Sequence, residues 1–178
     1  MPVAVECYFA EDYSERVRQL WNVVGSQLPA LGYRPHFSLA VFDDSVDVDA
    51  LRHVVDPFSS QLNEFAVQVT SLGAFCTDPA VLVLTLSLDK DLFDLHTRLN
   101  ERLAVHHLCP IPYYLPDNWT PHITLDQWLD YEALGRRVAK AAPLCQALIG
   151  PAKVVEIGMI RCNPVEELWT RRLSARRV

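Results

Sequence analysis

Half of the 178 residues are apolar and 21% are charged, which excludes a disordered or collagen-like chain and gives a single domain, residues 1–178, enough side chains for a sizeable core. The net charge of −6 disfavours a broad non-specific nucleic-acid surface. The basic residues are nonetheless 13 Arg against 3 Lys, and the arginine fork suits phosphate, so a local basic pocket stays open.

The opening Met1-Pro2-Val3-Ala4-Val5-Glu6 has neither a basic nor an apolar leader character, and no long uncharged apolar run follows. The expectation is a cytoplasmic monomer without membrane contact. Residues 3–9 are a β-branched and aromatic run that predicts a strand. A helix follows, with Asp12 as the expected N-cap and Glu15 three residues on, and Val17, Leu20, Trp21, Val24 and Leu28 form one apolar stripe. Gly32 and Pro35 break the chain before a strand over 36–42, and 47–62 read as helix.

Strands over 65–72 and 81–88 are expected to join through Gly73 and the Asp78-Pro79 turn. Leu92, Leu95, Leu99 and Leu103 mark the next helix, in which His96, like His53 in the helix before it, is expected to be solvated. A segment rich in proline and tyrosine, 110–116, leads into a strand over 122–128. A helix over 130–142 and strands over 154–160 and 167–173 complete the chain. Cys7, Cys76, Cys109, Cys145 and Cys162 are odd in number and widely scattered, and read as reduced thiols packed in the core.

The two halves repeat one order: helix, strand opening on a Pro-His pair, helix, two strands. The Pro-His pairs lie 86 residues apart (122 − 36), close to half of the 178 residues. His36-Phe37-Ser38-Leu39 and His122-Ile123-Thr124-Leu125 are two copies of His-apolar-hydroxyl-Leu. Two such matches among six histidines have a chance probability of ~0.002 at this composition. In a strand, residues i and i+2 share a face, so each copy presents an imidazole beside a hydroxyl while its apolar residues turn to the core. Each motif strand is expected at the centre of its lobe, with the two rings facing across one cleft.

Two such half-sites suit one phosphodiester. An imidazole titrates near pH ~6.5, so one ring can accept a proton from water while the other donates to the leaving oxygen. The hydroxyls of Ser38 and Thr124 can stabilise the non-bridging oxygens, and this chemistry asks for no metal and no cofactor. On these residues the chain resembles the 2H phosphoesterase superfamily, which includes 2′-5′ RNA ligase-like proteins and cyclic phosphodiesterases and is defined by paired His-x-Thr/Ser-x motifs. Trp119, and Leu72 to Phe75, extend the resemblance over most of the chain.

The resemblance implies an α+β fold of two lobes related by pseudo-twofold duplication, with antiparallel sheets lining a central cleft. It also implies a catalytic role for His36, Ser38, His122 and Thr124, with His36 as proton donor and His122 as acceptor, on a nucleotide-sized cyclic phosphate. Many RNA ligase-like members continue the second motif with a small residue and an arginine, whereas here Leu125 is followed by Asp126-Gln127-Trp128, and an acidic residue at that place argues against long RNA as substrate. RNA-end processing or 2′-5′ ligation, and a non-catalytic nucleotide-binding module, are the alternatives.

Arg34, two residues before His36, is the leading further phosphate ligand. Tyr8, Phe75, Tyr113, Tyr114 and Trp169 are the aromatics considered for base stacking. His106, His107 and Cys109 have no second ligand pair at zinc-site spacing, so no metal site is expected. No glycine-rich phosphate loop occurs.

Overall fold

The computed structural model describes residues 1–175. Among these, four α-helices flank one hydrogen-bonded sheet of seven strands in which every neighbouring strand pair is antiparallel, an α+β architecture. In chain order the elements are β1 (Val3–Phe9), α1 (Glu11–Val24), β2 (His36–Phe42), α2 (Val48–Ser60), β3 (Phe65–Phe75), β4 (Ala80–Leu86), α3 (Lys90–Val105), β5 (His122–Leu129), α4 (Tyr131–Cys145), β6 (Gly150–Arg161) and β7 (Glu166–Arg172). Short 3-10 turns at Pro29–Leu31 and Pro112–Tyr114 precede the two motif strands. Among the described residues no helix is long and apolar enough to cross a membrane.

The strand order is β2-β1-β6-β3-β4-β5, with β7 also on β6. β6 is the seam of the duplication: Gly150–Val154 pairs with β3, Val154–Arg161 with β1, and Glu156–Arg161 with β7. The halves are cross-hung, because β5 of the second half pairs with the β3–β4 hairpin of the first, and β2 of the first reaches β6 of the second through β1. The motif strands therefore lie at the two edges of the sheet and not at the centres of lobes. β2 and β5 nonetheless approach each other, so the sheet curls round the space between them.

β1 is buried along its whole length between β2 and β6. Val3, Val5, Cys7 and Phe9 join the core with Val17, Leu20, Trp21 and Val24 of α1, as the apolar stripe predicts. Phe37, Leu39, Ile123 and Leu125 of the motif strands are fully buried, which fixes the faces on which His36 and His122 emerge. Asp47, Asp89 and Asp130 cap α2, α3 and α4 by accepting from first-turn backbone N–H groups.

Three expectations change. Helix α1 starts at Glu11 with Ala10 as N-cap, because the Ala10 carbonyl accepts from the N–H groups of Tyr13 and Ser14; Asp12 falls inside the first turn, where its charge complements the helix dipole. Gly73 lies within β3, which runs on to Phe75. It is a close approach and not a turn: a Cβ there would stand 3.0 Å from Thr85 Cγ2. Of the five cysteines only Cys7 and Cys145 are buried, while Cys76 and Cys109 are exposed in loops that the core does not reach.

Candidate active site

An edge strand leaves backbone groups without ladder partners, and both motif strands satisfy one of them with a tryptophan indole. Trp119 Nε1 donates to the Ser38 carbonyl at 3.1 Å, and Trp21 Nε1 donates to the Thr124 carbonyl at 3.0 Å. Trp119 is itself clamped by His96, whose ring stacks on it with centroids 3.8 Å apart. His96 is therefore a fully buried packing residue and not a solvated one, and burial lowers its imidazole to about 4.

The two catalytic candidates are tethered alike. His36 Nδ1–H donates to the Arg34 carbonyl at 2.6 Å, and His122 Nδ1–H donates to the Thr120 carbonyl at 2.7 Å. In each ring the backbone two residues upstream fixes the tautomer and leaves Nε2 as the reactive nitrogen. The rings line one cleft with Ser38 and Thr124, so the four motif residues are brought together. Burial holds His122 below its ordinary range against the opposing Thr120 carbonyl, with a smaller contribution from His36; Phe75 packs edge-on against it at 4.8 Å between centroids.

His36 has a partner that sequence reasoning missed. Its Nε2 lies 3.2 Å from Oε1 of Glu6, a residue of β1 that is only 2% exposed and lines the same cleft. Burial raises the Glu6 carboxyl, while His36, the Tyr8 hydroxyl and Arg34 oppose the rise. At that distance an imidazolium at His36 and a carboxylate at Glu6 would form a buried pair whose charges cancel. The available signal was the one charged residue inside the apolar run 3–9.

Each motif strand also bulges at its leucine. Val5 pairs with Ala40 but Glu6 with Ser38, and Leu82 pairs with Asp126 but Val83 with Thr124, so Leu39 and Leu125 are the extra residues. The bulge flips the alternation beyond the motif and brings Val41 and Gln127 to the cleft. Asp126 turns instead to Arg137, whose Nε lies 3.0 Å from its Oδ2, and is 4% exposed. The expectation that Asp126 biases the cleft against RNA is thereby corrected: its charge is paired outside the cleft.

The cleft encloses about 190 Å³ and includes Tyr33 and Tyr114 among its walls. Tyr33 stacks on His36 with centroids 5.7 Å apart and donates to Asn163 Oδ1 at 3.0 Å. Burial pushes the Tyr114 hydroxyl up to about 12, which keeps it a donor at neutral pH. Ligand pockets commonly run to roughly 300–1,000 Å³, so this space suits a phosphate and part of a sugar with the remainder of the ligand outside. A larger hollow of about 760 Å³ along α3 and the start of β3 holds none of the motif residues, and Asp89, Asp91, Asp94 and Glu101 make it hostile to an anion.

Arg34 is not brought to the cleft. Its guanidinium binds Glu156 at 2.7 Å and Glu167 at 3.4 Å and lies over the Tyr8 ring, so its charge is already spent on carboxylates. Tyr8 is buried beside it and touches His36 edge-on. Tyr113 is 77% exposed and lies outside the cleft, where Tyr114, its neighbour on the 3-10 turn, takes the wall position. Trp169 packs half-buried on β7 under Arg171, with no part in the cleft. His106 and His107 are exposed after α3, and among the described residues no three His, Cys, Asp or Glu side chains group as metal ligands.

Residues 9–161 match the family model of the 2′-5′ RNA ligase superfamily. Among solved structures the chain is similar to TT0787 of Thermus thermophilus, at TM-score 0.63 and 14% identity over 99% of this chain and 100% of that one. It is also similar to Escherichia coli LigT complexed with 3′-AMP, at TM-score 0.60 and 14% identity over 97% and 99%. Kluyveromyces marxianus Usb1 follows at TM-score 0.51 and 10% identity over 94% and 97%. No curated protein sequence matches the chain.

Proposed function

The chain belongs to the 2′-5′ RNA ligase superfamily, whose phosphoesterase fold it shares, and from that premise we propose that it opens a nucleotide-sized 2′,3′-cyclic phosphodiester by acid/base catalysis between His36 and His122. The observation that carries this reading is the matched tether: both imidazoles spend Nδ1 on a carbonyl two residues upstream and turn to one small cleft that also holds two hydroxyls. LigT was solved with 3′-AMP, and a ligand of that size suits a cleft with room for a phosphate and part of a ribose.

In the proposed reaction His122 Nε2 takes a proton from water as the water oxygen bonds to phosphorus. His36 Nε2–H protonates the 2′- or 3′-oxygen as its bond to phosphorus breaks, and the product is a phosphomonoester with a free neighbouring hydroxyl. The assignment of roles rests on electrostatics. Burial favours the neutral form of His122, as a base requires, and the Glu6 carboxyl stands 3.2 Å from Nε2 of His36, the proposed acid. Ser38 and Thr124 donate to the non-bridging oxygens, where charge grows in the transition state. No cofactor takes part, and the two halves act as lobes of one domain.

The test is a product-identified assay on nucleoside 2′,3′-cyclic phosphates, ADP-ribose cyclic phosphate and 2′-5′-linked oligonucleotides, run with and without EDTA. Ring opening of a cyclic phosphate to one monoester, unaffected by chelation, is expected. Turnover confined to 2′-5′-linked oligonucleotides would replace this reading with RNA-end processing or ligation.

A further inference from the structure

Glu6 is an unusual wall for a cleft that takes phosphate. It sits on β1 opposite Ser38 of β2, with Oε1 3.2 Å from the reactive nitrogen of His36, and is 2% exposed. Among the described residues no lysine or arginine lines the cleft, and the nearby Arg34 is bound to Glu156 and Glu167. A protonated His36 beside an ionised Glu6 adds no net positive charge to the cleft. The hydroxyls of Ser38, Thr124 and Tyr114 that line the cleft carry no charge, and burial favours the neutral form of the His122 ring beside them.

We infer that Glu6 cancels the one positive charge the cleft has and so restricts it to phosphates bearing a single negative charge. The inference rests on the reading above that the cleft binds a phosphoester. A diester brings one charge, which neutral donors can solvate. A monoester brings a second on its further ionisation near pH ~6, and in a partly dry cleft no cation balances it beside the Glu6 carboxylate. Ring opening converts the first kind of ligand into the second within the cleft, so the filter also drives the product out. Nucleoside polyphosphates are refused on the same ground.

The test uses two probes that have no 2′-hydroxyl and so form no cyclic phosphate: 2′-deoxyadenosine 3′-phosphate, a dianion at pH 8, and its methyl ester, a monoanion. Their dissociation constants are measured by calorimetry at pH 8 and low salt on the wild-type protein and on Glu6→Gln, with Glu6→Asn as the substitute if the first variant does not fold. The wild-type protein is expected to bind the methyl ester at least about tenfold more tightly than the dianion, and the variant to lose that preference. Binding of both probes with no wild-type preference, or with a preference that the variant keeps, overturns the charge filter and leaves the phosphoesterase reading standing. Binding of neither probe to either protein overturns both.

Discussion

His36 and His122 differ less in their tethers than in their surroundings, and the difference sets a pH dependence. In the proposed reaction His122 must be neutral to accept a proton, and burial, with a smaller contribution from His36, holds it below the ordinary ~6.5. Because a depressed base stays neutral until the pH falls through its lowered value, the acid limb of kcat/KM is expected below pH ~6.5. Phe75, edge-on to the ring, contributes part of the burial. In Phe75→Ala the limb should move up towards ~6.5, and an unmoved limb in the paired pH profiles would remove Phe75 from this role. At this scale the motif pairs were legible because hydroxyl and imidazole repeat with their prolines. Glu6 was not, since a carboxylate in an apolar run reads as a surface residue until the partner across the strand is known. Arg34 was misplaced for a related reason: its two carboxylates, Glu156 and Glu167, are more than 120 residues away in sequence.

Strand positions and faces followed from period-2 alternation, and that rule served up to the motif leucines. Beyond them the bulges at Leu39 and Leu125 shift the face by one residue, so Gln127 and not Asp126 reaches the cleft. The flip is hidden in the sequence because the residues beyond the leucines, Ala40-Val41-Phe42 and Asp126-Gln127-Trp128, do not alternate in polarity. The support behind β2 was equally hidden, because His96 reads as a helix surface residue until Trp119 closes over it. Its burial has a measurable consequence. The folded ring titrates at about 4 against ~6.5 unfolded, so its neutral form stabilises the fold fully above ~6.5, and that stability is lost as pH falls, by about 3 kcal/mol near pH 4. His96→Phe keeps an aromatic partner for Trp119 and has nothing to protonate. Urea unfolding at pH 7 and pH 4 should show a smaller acid loss in the variant than in the wild-type protein, whereas equal losses would place the acid sensitivity elsewhere.

Over the whole molecule, the duplication was visible as a repeated element order, while the α+β class with antiparallel pairing was what the family resemblance implied. The cross-hanging of the halves was not, because alternation tells which face of a strand is buried and never which strand lies beside it. That arrangement puts both motif strands on sheet edges and lets the sheet curl until they meet, so one cleft is shared by residues 86 positions apart (122 − 36). The catalytic claim depends on the two halves working as one unit. It is tested most directly by kcat on a nucleoside 2′,3′-cyclic phosphate for His36→Ala, His122→Ala and the double variant, with folding checked for each. Each single variant is expected to lose at least about 10²–10⁴-fold, and the double variant far less than the product of the two losses. Near-wild-type turnover in either folded single variant would contradict the account.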